Sequence, residues 1–288
     1  MTAAVVTTIP EIRIRIEECR RSGRQIGFVP TMGALHAGHA TLIDRARVES
    51  DFVVVSIFVN PTQFDRKDDY ERYSRSFSED VALCSALGAD LVFAPEASEM
   101  YPAPLDTSVN VARVSEGLCG QFRPGHFRGV TTVVAKLFHI VQPSRSYFGE
   151  KDAQQLAVIR RMVADLNIPI EIIAVPTVRE PDGLALSSRN RGLNAQERAS
   201  APVLYRSLLA AKHLIENGFT DSAHIRQAAM TILKEDSIVR LEYLEIVEPD
   251  DMTPLDRIPG PVRIAIAAWL GSTRLIDNVL CVPQVSGI

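Results

Sequence analysis

Two histidines carry the most specific chemical signal in the sequence. His36 and His39 stand three residues apart in the stretch "HAGH", with Gly38 between them. This spacing puts both imidazoles on one side of a first helical turn, where they can donate hydrogen bonds to phosphoryl oxygens as negative charge develops. The simpler alternative is a turn in which one histidine caps the helix and the other bonds to a carbonyl group.

Two further groups of polar residues each follow a short apolar run. Asn60 and Gln63 offer carboxamides that can bind hydroxyls or a carboxylate without adding charge. In "GEKD", Gly149 allows close backbone approach, Lys151 supplies a cation for phosphates, and Asp152 can accept from ribose hydroxyls or support a metal ion. The simpler alternative for Asn60 and Gln63 is that their carboxamides only hold a turn. For Lys151 and Asp152 it is a surface ion pair.

A polar loop, "VREPDGLALSSRN", adds hydroxyl groups and a guanidinium group. Ser187 and Ser188 offer hydroxyls and backbone amides, and Arg189 can bind a phosphate with two hydrogen bonds. The fingerprint glycines of a dinucleotide fold and the lysine of a P-loop are both missing from the chain. If the chain binds a nucleotide, it must therefore use a different device.

The elements that must position these residues follow an alternating pattern in the first half of the chain. Short β-branched runs alternate with helical patterns, which predicts an α/β fold with a doubly wound parallel sheet. The predicted strands are 25–30, 52–60, 90–95, 146–150 and 170–176, and the predicted helices are 9–22, 38–49, 77–87, 129–141 and 153–165. Ligands bind beyond the carboxyl ends of such strands, so the polar residues that follow them can converge.

The character of the sequence changes near Val178. Helices are predicted at 195–217 and 222–235, and the runs 239–249 and 261–270 alternate as antiparallel strands do. We therefore predict two domains: 1–177, Rossmann-like, and 178–288, a smaller α+β domain that begins with the polar loop.

The composition narrows the class of protein. The 288 residues include 31 basic and 35 acidic side chains, a net charge of −4 that argues against general nucleic-acid binding. Four scattered cysteines match neither a metal site nor a disulfide framework, which favours a reducing cytoplasm. We find neither a secretory leader pattern nor an apolar run of roughly 18 residues, and we expect a soluble protein that acts on small molecules.

Several segments resemble one family within the HxGH superfamily of nucleotidylyltransferases and class I aminoacyl-tRNA synthetases. That family is the pantoate–β-alanine ligases. The segments that carry the resemblance are "PTMGALHAGH", "SIFVNPTQF", "GHFRGVTTVVAKLF", "YFGEKDAQQL" and "REPDGLALSSRN", with "EYLE" and "RLIDN" nearer the end. The resemblance implies condensation of (R)-pantoate with β-alanine through a pantoyl-adenylate, with release of pyrophosphate and AMP.

The resemblance also implies a role for each matching residue. His36, His39 and Lys151 are the expected catalytic residues. The expected ATP-binding residues are Met32, Gly33, His36, His39, Gly149, Lys151, Asp152, Val178, Leu186, Ser187, Ser188 and Arg189. The expected residues for pantoate and β-alanine are Pro30, Thr31, Met32, Asn60, Gln63 and Gln155.

Magnesium is expected with ATP, and Glu79 and Asp80 match acidic positions of the family that contact the ion through water; helix-start stabilisation is the alternative for both residues. The family also implies a homodimer. This chain departs from the family pattern at Leu186, where methionine is common, at Ala153, where an aromatic residue is usual, and at Ser74, where proline is usual. Leu186 lacks only the flexible thioether of methionine, and the departures at Ala153 and Ser74 remove no chemical group.

Two other functions remain open at this point. A nucleotidylyltransferase would share "HAGH" but would need a phosphate-binding acceptor site rich in lysine and arginine. The acceptor site predicted here instead offers Asn60, Gln63 and Gln155. A nucleotide- or RNA-binding module without catalytic activity would need a basic face, which the net charge does not favour.

Overall fold

The computed structural model describes residues 2–73 and 75–283. Ser74, one of the three departures from the family pattern, lies outside the described residues. The α-helices are α1 Ile9–Arg21, α2 Ala37–Glu49, α3 Lys67–Arg72, α4 Phe77–Ala86, α5 Ala97–Met100, α6 Cys119–Phe122, α7 His126–Val141, α8 Ala153–Asp165, α9 Ala195–Ser200, α10 Val203–Glu216 and α11 Ser222–Lys234. Short 3-10 turns lie at Pro61–Gln63, Glu150–Asp152 and Ser188–Gly192.

A six-stranded parallel sheet forms the first part of the chain. Its strands are β1 Ala4–Val6, β2 Ile26–Thr31, β3 Phe52–Ile57, β4 Leu91–Phe93, β5 Arg145–Gly149 and β6 Glu171–Val175, in the order β1-β4-β3-β2-β5-β6. The chain winds outward from β2 to β3 and β4, then returns to the other side of β2 to form β5. The crevice between the carboxyl ends of β2 and β5 is therefore the topological switch point, where such sheets bind ligands.

Helices pack on both faces of this sheet, and the side chains of each buried strand point alternately to one face and the other. In β3, Val54 packs in the core that holds residues of α1, α7 and α8, whereas Val53 and Val55 pack in the core that holds residues of α2 and α4. Successive strand side chains point to opposite faces, and β-branched residues suit strands buried on both sides. The doubly wound α/β prediction is confirmed.

A smaller antiparallel sheet lies in the last third of the chain. It contains β7 Val239–Val247, β8 Val262–Leu270 and β9 Thr273–Cys281, in that order. Ile264 and Ile266 of β8 face the core built with α10 and α11, whereas Ala265 joins the core of the large sheet. The small sheet therefore packs against the first part of the chain as well as against its own helices.

Some predicted boundaries were wrong. The predicted helix 195–217 is two helices, α9 and α10, because Pro202 lies at their junction and has no amide hydrogen to continue the first helix. The predicted strand 52–60 ends at Ile57, and the predicted helix 129–141 begins at His126. Strands β1 and β9 were not predicted. No helix in the described part of the chain is long and apolar enough to cross a membrane.

Candidate active site

One cleft of about 270 Å³ opens at the switch point of the large sheet and extends to the small sheet. It brings together most of the residues that the sequence singled out. The predicted site residues that line it are Pro30, Thr31, Met32, His36, His39, Asn60, Gln63, Gly149, Lys151, Asp152, Gln155, Val178, Leu186, Ser187, Ser188 and Arg189. Three predicted site residues do not line it: Gly33, Glu79 and Asp80.

The two histidines form a reciprocal cap at the start of α2. The amide of Gly38 donates to Nδ1 of His36 at 3.1 Å, and the amide of His36 donates to Nδ1 of His39 at 3.3 Å. Because each Nδ1 accepts a hydrogen bond, each neutral ring carries its proton on Nε2. The helix start thus fixes both tautomers and leaves two Nε2–H groups as the donors available to a ligand.

Burial keeps both rings neutral. Burial lowers the pKa of His39 to about 3, and the neighbouring His36 makes a smaller contribution. Burial also lowers the pKa of His36, and the positive charge of Lys151 lowers it further. Both imidazoles line the cleft, where neutral donors can stabilise developing negative charge without a change of protonation. The capping alternative raised by the sequence therefore holds for His36, but capping and ligand binding use different nitrogen atoms.

The glycine of "HAGH" is required by the His36 ring. A Cβ atom at residue 38 would lie 2.9 Å from Cε1 and 3.0 Å from Nδ1 of His36. These distances are shorter than carbon contacts at optimal separation, about 3.5–4.0 Å. Gly38 therefore allows the imidazole to fold back over the first helical turn, which explains the third residue of the motif.

Asp80 supports the loop that leads into "HAGH". This carboxylate is buried and accepts hydrogen bonds from the amides of Ala34 at 2.9 Å and Leu35 at 2.8 Å. Gly33 and Ala34 both have positive φ, and for Ala34 this conformation is strained. Asp80 thus has a structural task that the sequence did not reveal, and its predicted water-mediated contact with magnesium, like that of Glu79, stays a prediction.

Asn60 is committed to contacts within the protein and orients Gln63. Its Nδ2 donates to Oε1 of Gln63 at 3.0 Å and to the carbonyl of Gly129 at 3.2 Å, while Oδ1 accepts from Tyr101 at 2.7 Å. Since Oε1 of Gln63 is the acceptor, its Nε2 is directed to Met32 and the cleft, with Met32 Sδ at 2.9 Å. The geometry makes Gln63 the ligand-facing member of this pair.

Two adjacent glutamines at the start of α8 have different surroundings. Gln154 is buried and bonds to the amide of Cys119 and to the carbonyls of Val114 and Gly117, so it anchors a loop. Gln155 lines the cleft, and its side chain makes no hydrogen bond to another described residue. Its carboxamide is therefore available to a substrate.

The "GEKD" segment forms a 3-10 turn directly after β5. The Lys151 side chain is 18% exposed, and its Nζ lies 4.0 Å from Oδ1 of Asp152, whose side chain is 49% exposed. Among the described residues, the Lys151 ammonium group thus has only a long ion pair, with Asp152, in the cleft. A cation in this setting suits polyphosphate, and the exposed carboxylate beside it can accept from a hydroxyl group.

The "LSSRN" loop reaches across the cleft to the segment that follows Gln63. Arg189 contacts Asp69, with 3.5 Å between Nη2 and Oδ2. The Oγ of Ser187 accepts from the amide of Arg189 at 3.2 Å. The loop is therefore tied to that segment by a weak ion pair, which a triphosphate can replace.

Several residues of the cleft were not predicted as site residues. Arg274, Asp277 and Asn278 of β9 line it, as do Tyr73 and His126. The sequence signal for the first three was the segment "RLIDN", to which no role had been assigned. Burial lowers the pKa of His126 to about 4, and its Nδ1–H donates to the carbonyl of Gln63 at 2.7 Å.

The described residues of the cleft form no dedicated metal site, but they suit a magnesium ion that is bound mainly by a triphosphate. Among the described residues, no group of three or more His, Cys, Asp or Glu side chains could hold a metal ion. Magnesium commonly binds substrate phosphates and water and uses only one or two protein carboxylates. Asp152 offers one such carboxylate beside Lys151.

Comparison with known proteins shows which proteins this chain is similar to. A model of the family described as pantoate-beta-alanine ligase matches residues 4–280. The pantothenate synthetase of Thermotoga neapolitana is 51% identical over 276 residues, which are 96% of this chain and 99% of that protein. The pantothenate synthetase of Acetivibrio thermocellus is 50% identical over 276 residues, covering 96% and 98% of the two chains.

Solved structures give the same result. The pantothenate synthetase of Thermus thermophilus superimposes with a TM-score of 0.91 at 48% identity, covering 96% of this chain and 98% of that chain. A pantoate-beta-alanine ligase from Francisella tularensis, complexed with beta-gamma ATP and beta-alanine, superimposes with a TM-score of 0.80 at 34% identity, covering 96% and 97%.

Proposed function

This chain belongs to the pantoate–β-alanine ligase family, and from this premise we propose how its cleft performs the reaction of that family. The reaction is the ATP-dependent condensation of pantoate with β-alanine to pantothenate. It proceeds through a pantoyl-adenylate and releases pyrophosphate and then AMP. Joining a carboxylate to an amine requires activation of the carboxylate, and adenylation provides it.

In the first step, the pantoate carboxylate attacks the α-phosphorus of ATP. His36 and His39 donate from Nε2 to phosphoryl oxygens, where negative charge increases in the transition state. Their bound Nδ1 atoms and lowered pKa values support this role, since both rings stay neutral and need no reorganisation. No covalent enzyme intermediate is needed, and the four cysteines are buried.

The β and γ phosphates lie between two segments in our proposal. Lys151 supplies the positive charge from one side, and Ser187, Ser188 and Arg189 close from the other side when Arg189 leaves Asp69. Asp152 is a carboxylate that would help to hold magnesium brought in with the phosphates, and the ion would supply charge neutralisation for the departing pyrophosphate. Met32, Gly33, Gly149, Val178 and Leu186 complete the proposed nucleotide site.

Pantoate lies deeper in the cleft, against Gln63 and Gln155. Their carboxamides recognise its hydroxyls and carboxylate. Asn60 contributes by fixing the orientation of Gln63, a more limited role than direct binding. Pro30, Thr31 and Met32 form the wall behind the substrate, at the end of β2.

In the second step, β-alanine attacks the adenylate as the neutral amine and displaces AMP. Holding the two reactants in one cleft provides most of what this step requires, and the closed loop keeps water from the reactive anhydride. From the family resemblance we also propose a homodimer in the cytoplasm. We propose that the chain divides into two domains between residues 177 and 178. The first domain binds the substrates, and the second supplies the closing loop.

The observation that carries the proposed mechanism is the pair of fixed Nε2–H donors at the start of α2, beside a lysine and two cleft-facing glutamines. Pantoate alone should support exchange of labelled pyrophosphate into ATP, and AMP release should require pantoate and β-alanine together. Formation of ADP, or AMP release without pantoate, would contradict the proposal.

A further inference from the structure

Asn278, in the small sheet, makes three side-chain hydrogen bonds, two of them to the "GEKD" turn. It is a buried residue of β9 and lines the cleft. Its Nδ2 donates to the carbonyl of Glu150 at 2.9 Å and to the carbonyl of Lys151 at 3.0 Å. Its Oδ1 accepts from the buried guanidinium group of Arg263.

These contacts require a carboxamide. The two hydrogens of Nδ2 match the two carbonyl groups, and the single Oδ1 matches the guanidinium donor, so the amide cannot be reversed without losing all three hydrogen bonds. Aspartate has the same shape and keeps a partner for Arg263, but an ionised carboxylate has no hydrogen to donate. The position therefore distinguishes Asn from its nearest isostere.

The contacts also join separate parts of the cleft. The turn Glu150–Asp152 has only three residues, and two of its carbonyl groups are held by a residue more than 120 positions away. The neighbouring Asp277 holds Arg179, at the beginning of the polar loop, through two hydrogen bonds of 2.6 and 2.9 Å. Adjacent residues of β9 thus fix the two segments on either side of the proposed triphosphate position.

We propose that Asn278 is a positioning residue for adenylation: it holds the backbone of the "GEKD" turn so that Lys151 is directed at the phosphates of ATP. This inference rests on the role proposed above for Lys151. It gives the small sheet a task in the first half-reaction and none in the attack of β-alanine on the adenylate.

The test uses the full-length protein and the variants Asn278→Asp and Asn278→Ala, each alone and combined with Lys151→Met. Asp removes the two donated hydrogen bonds and keeps the shape, whereas Ala removes them without adding charge. Asn110→Asp is the control for added charge, because Asn110 is exposed and outside the cleft. The readouts are pantoate-dependent exchange of pyrophosphate into ATP, conversion of supplied pantoyl-adenylate with β-alanine, and the melting temperature.

We expect both Asn278 variants to slow exchange by about ten- to a hundredfold, as displacement of a reacting group by about 1 Å can do. Conversion of supplied pantoyl-adenylate should stay within about twofold of the parent, as should both reactions of the control. In the Lys151→Met background the Asn278 substitutions should have almost no further effect, because the side chain that they position is gone.

Other outcomes overturn the inference in distinguishable ways. If Lys151→Met slows exchange but the Asn278 substitutions slow it by the same factor in both backgrounds, Asn278 acts independently of Lys151. Equal slowing of both half-reactions, with a much lower melting temperature, would make it a structural residue only. If Lys151→Met alone leaves exchange unchanged, the proposed role of Lys151 fails and the positioning role fails with it.

Discussion

Replacing Gly38 by alanine tests the histidine geometry without removing a histidine. A Cβ atom there would lie 2.9 Å from Cε1 of His36, about 0.6–1.1 Å inside the optimal carbon contact of about 3.5–4.0 Å. The imidazole would have to withdraw by a similar distance, and its bond to the amide of residue 38 would weaken. Both rings would keep their chemistry, but one would be misplaced.

The expected result is a large loss of rate with a small change in stability. A displacement of about 1 Å in a reacting group can cost about 10² in rate, so exchange of pyrophosphate into ATP should fall by about ten- to a hundredfold. Crowding costs about 1–3 kcal/mol, but alanine is favoured over glycine in a helix by about 1 kcal/mol. The two effects partly cancel, and the free energy of unfolding should fall by no more than about 2 kcal/mol.

Gly260→Ala is the matched control. A Cβ atom at residue 260 would meet no atom within 4 Å, and the residue lies outside the cleft. Its exchange rate and melting temperature should match those of the parent. Unchanged exchange in Gly38→Ala would refute the reasoning, because it would mean that the ring position of His36 does not matter for adenylation.

Three further predictions concern single side chains. The pKa of His39 is about 3 in the folded protein and about 6.5 in the unfolded chain. Between these two pH values the unfolded state binds more protons than the folded state. The free energy of unfolding should therefore fall as the pH is lowered from about 6.5 to about 3. His39→Asn should lose less stability over the same range in denaturant titrations, and its pyrophosphate exchange should be about 10²–10³ slower; a parallel pH dependence would contradict this. Gln63→Ala should weaken pantoate binding by about 1–3 kcal/mol in calorimetry, and an equal loss for ATP would oppose our assignment. Asp80→Asn should lower the free energy of unfolding by about 1–3 kcal/mol, because the side chain then has one oxygen in place of the two that accept from the amides of Ala34 and Leu35. Unchanged stability with an altered magnesium requirement would instead support the predicted metal contact.

Local signals explain why most of the large sheet could be predicted from the sequence. Continuous β-branched runs such as "FVVVSI" are typical of parallel strands that are buried on both faces. Segments with clear helical periodicity separate these runs. Strand β1 has only three residues, from Ala4 to Val6, and pairs with β4, which is distant in sequence. Such a short segment becomes a strand only through its partner, so periodicity could not reveal it.

The residues of the cleft divide in a similar way. His36, Gln63 and Lys151 follow strands at the switch point, and their chemistry is legible from residue type and spacing. The contacts that orient them were harder to predict: the sequence did not reveal that Asn60 bonds to Gln63, and Asn278 had no assigned role. The bonds of Asn60 with Tyr101 and Gly129, and those of Asn278 with the "GEKD" turn, join segments 41 to 128 residues apart. Such bonds depend on the finished fold, which no local pattern encodes.

Asp80 shows the same limit in a different form. From the sequence, an acidic residue in the first turn of α4 fits helix stabilisation, and the family resemblance adds a metal contact. In the structure it accepts hydrogen bonds from the amides of Ala34 and Leu35, which precede it by more than forty positions. The positive φ of Ala34 is the physical reason for that contact, since a strained loop needs hydrogen bonds to hold it.

The central claim is that the pantoate carboxylate attacks the α-phosphorus of ATP, and an oxygen label follows that bond directly. Pantoate carrying ¹⁸O in its carboxylate is incubated with ATP, magnesium and β-alanine, and the nucleotide and phosphate products are analysed by mass spectrometry. Our mechanism predicts one ¹⁸O atom in AMP and none in pyrophosphate, because the carboxylate oxygen stays on the α-phosphorus when the amide forms. Label in inorganic phosphate together with ADP, or AMP without label, would contradict it.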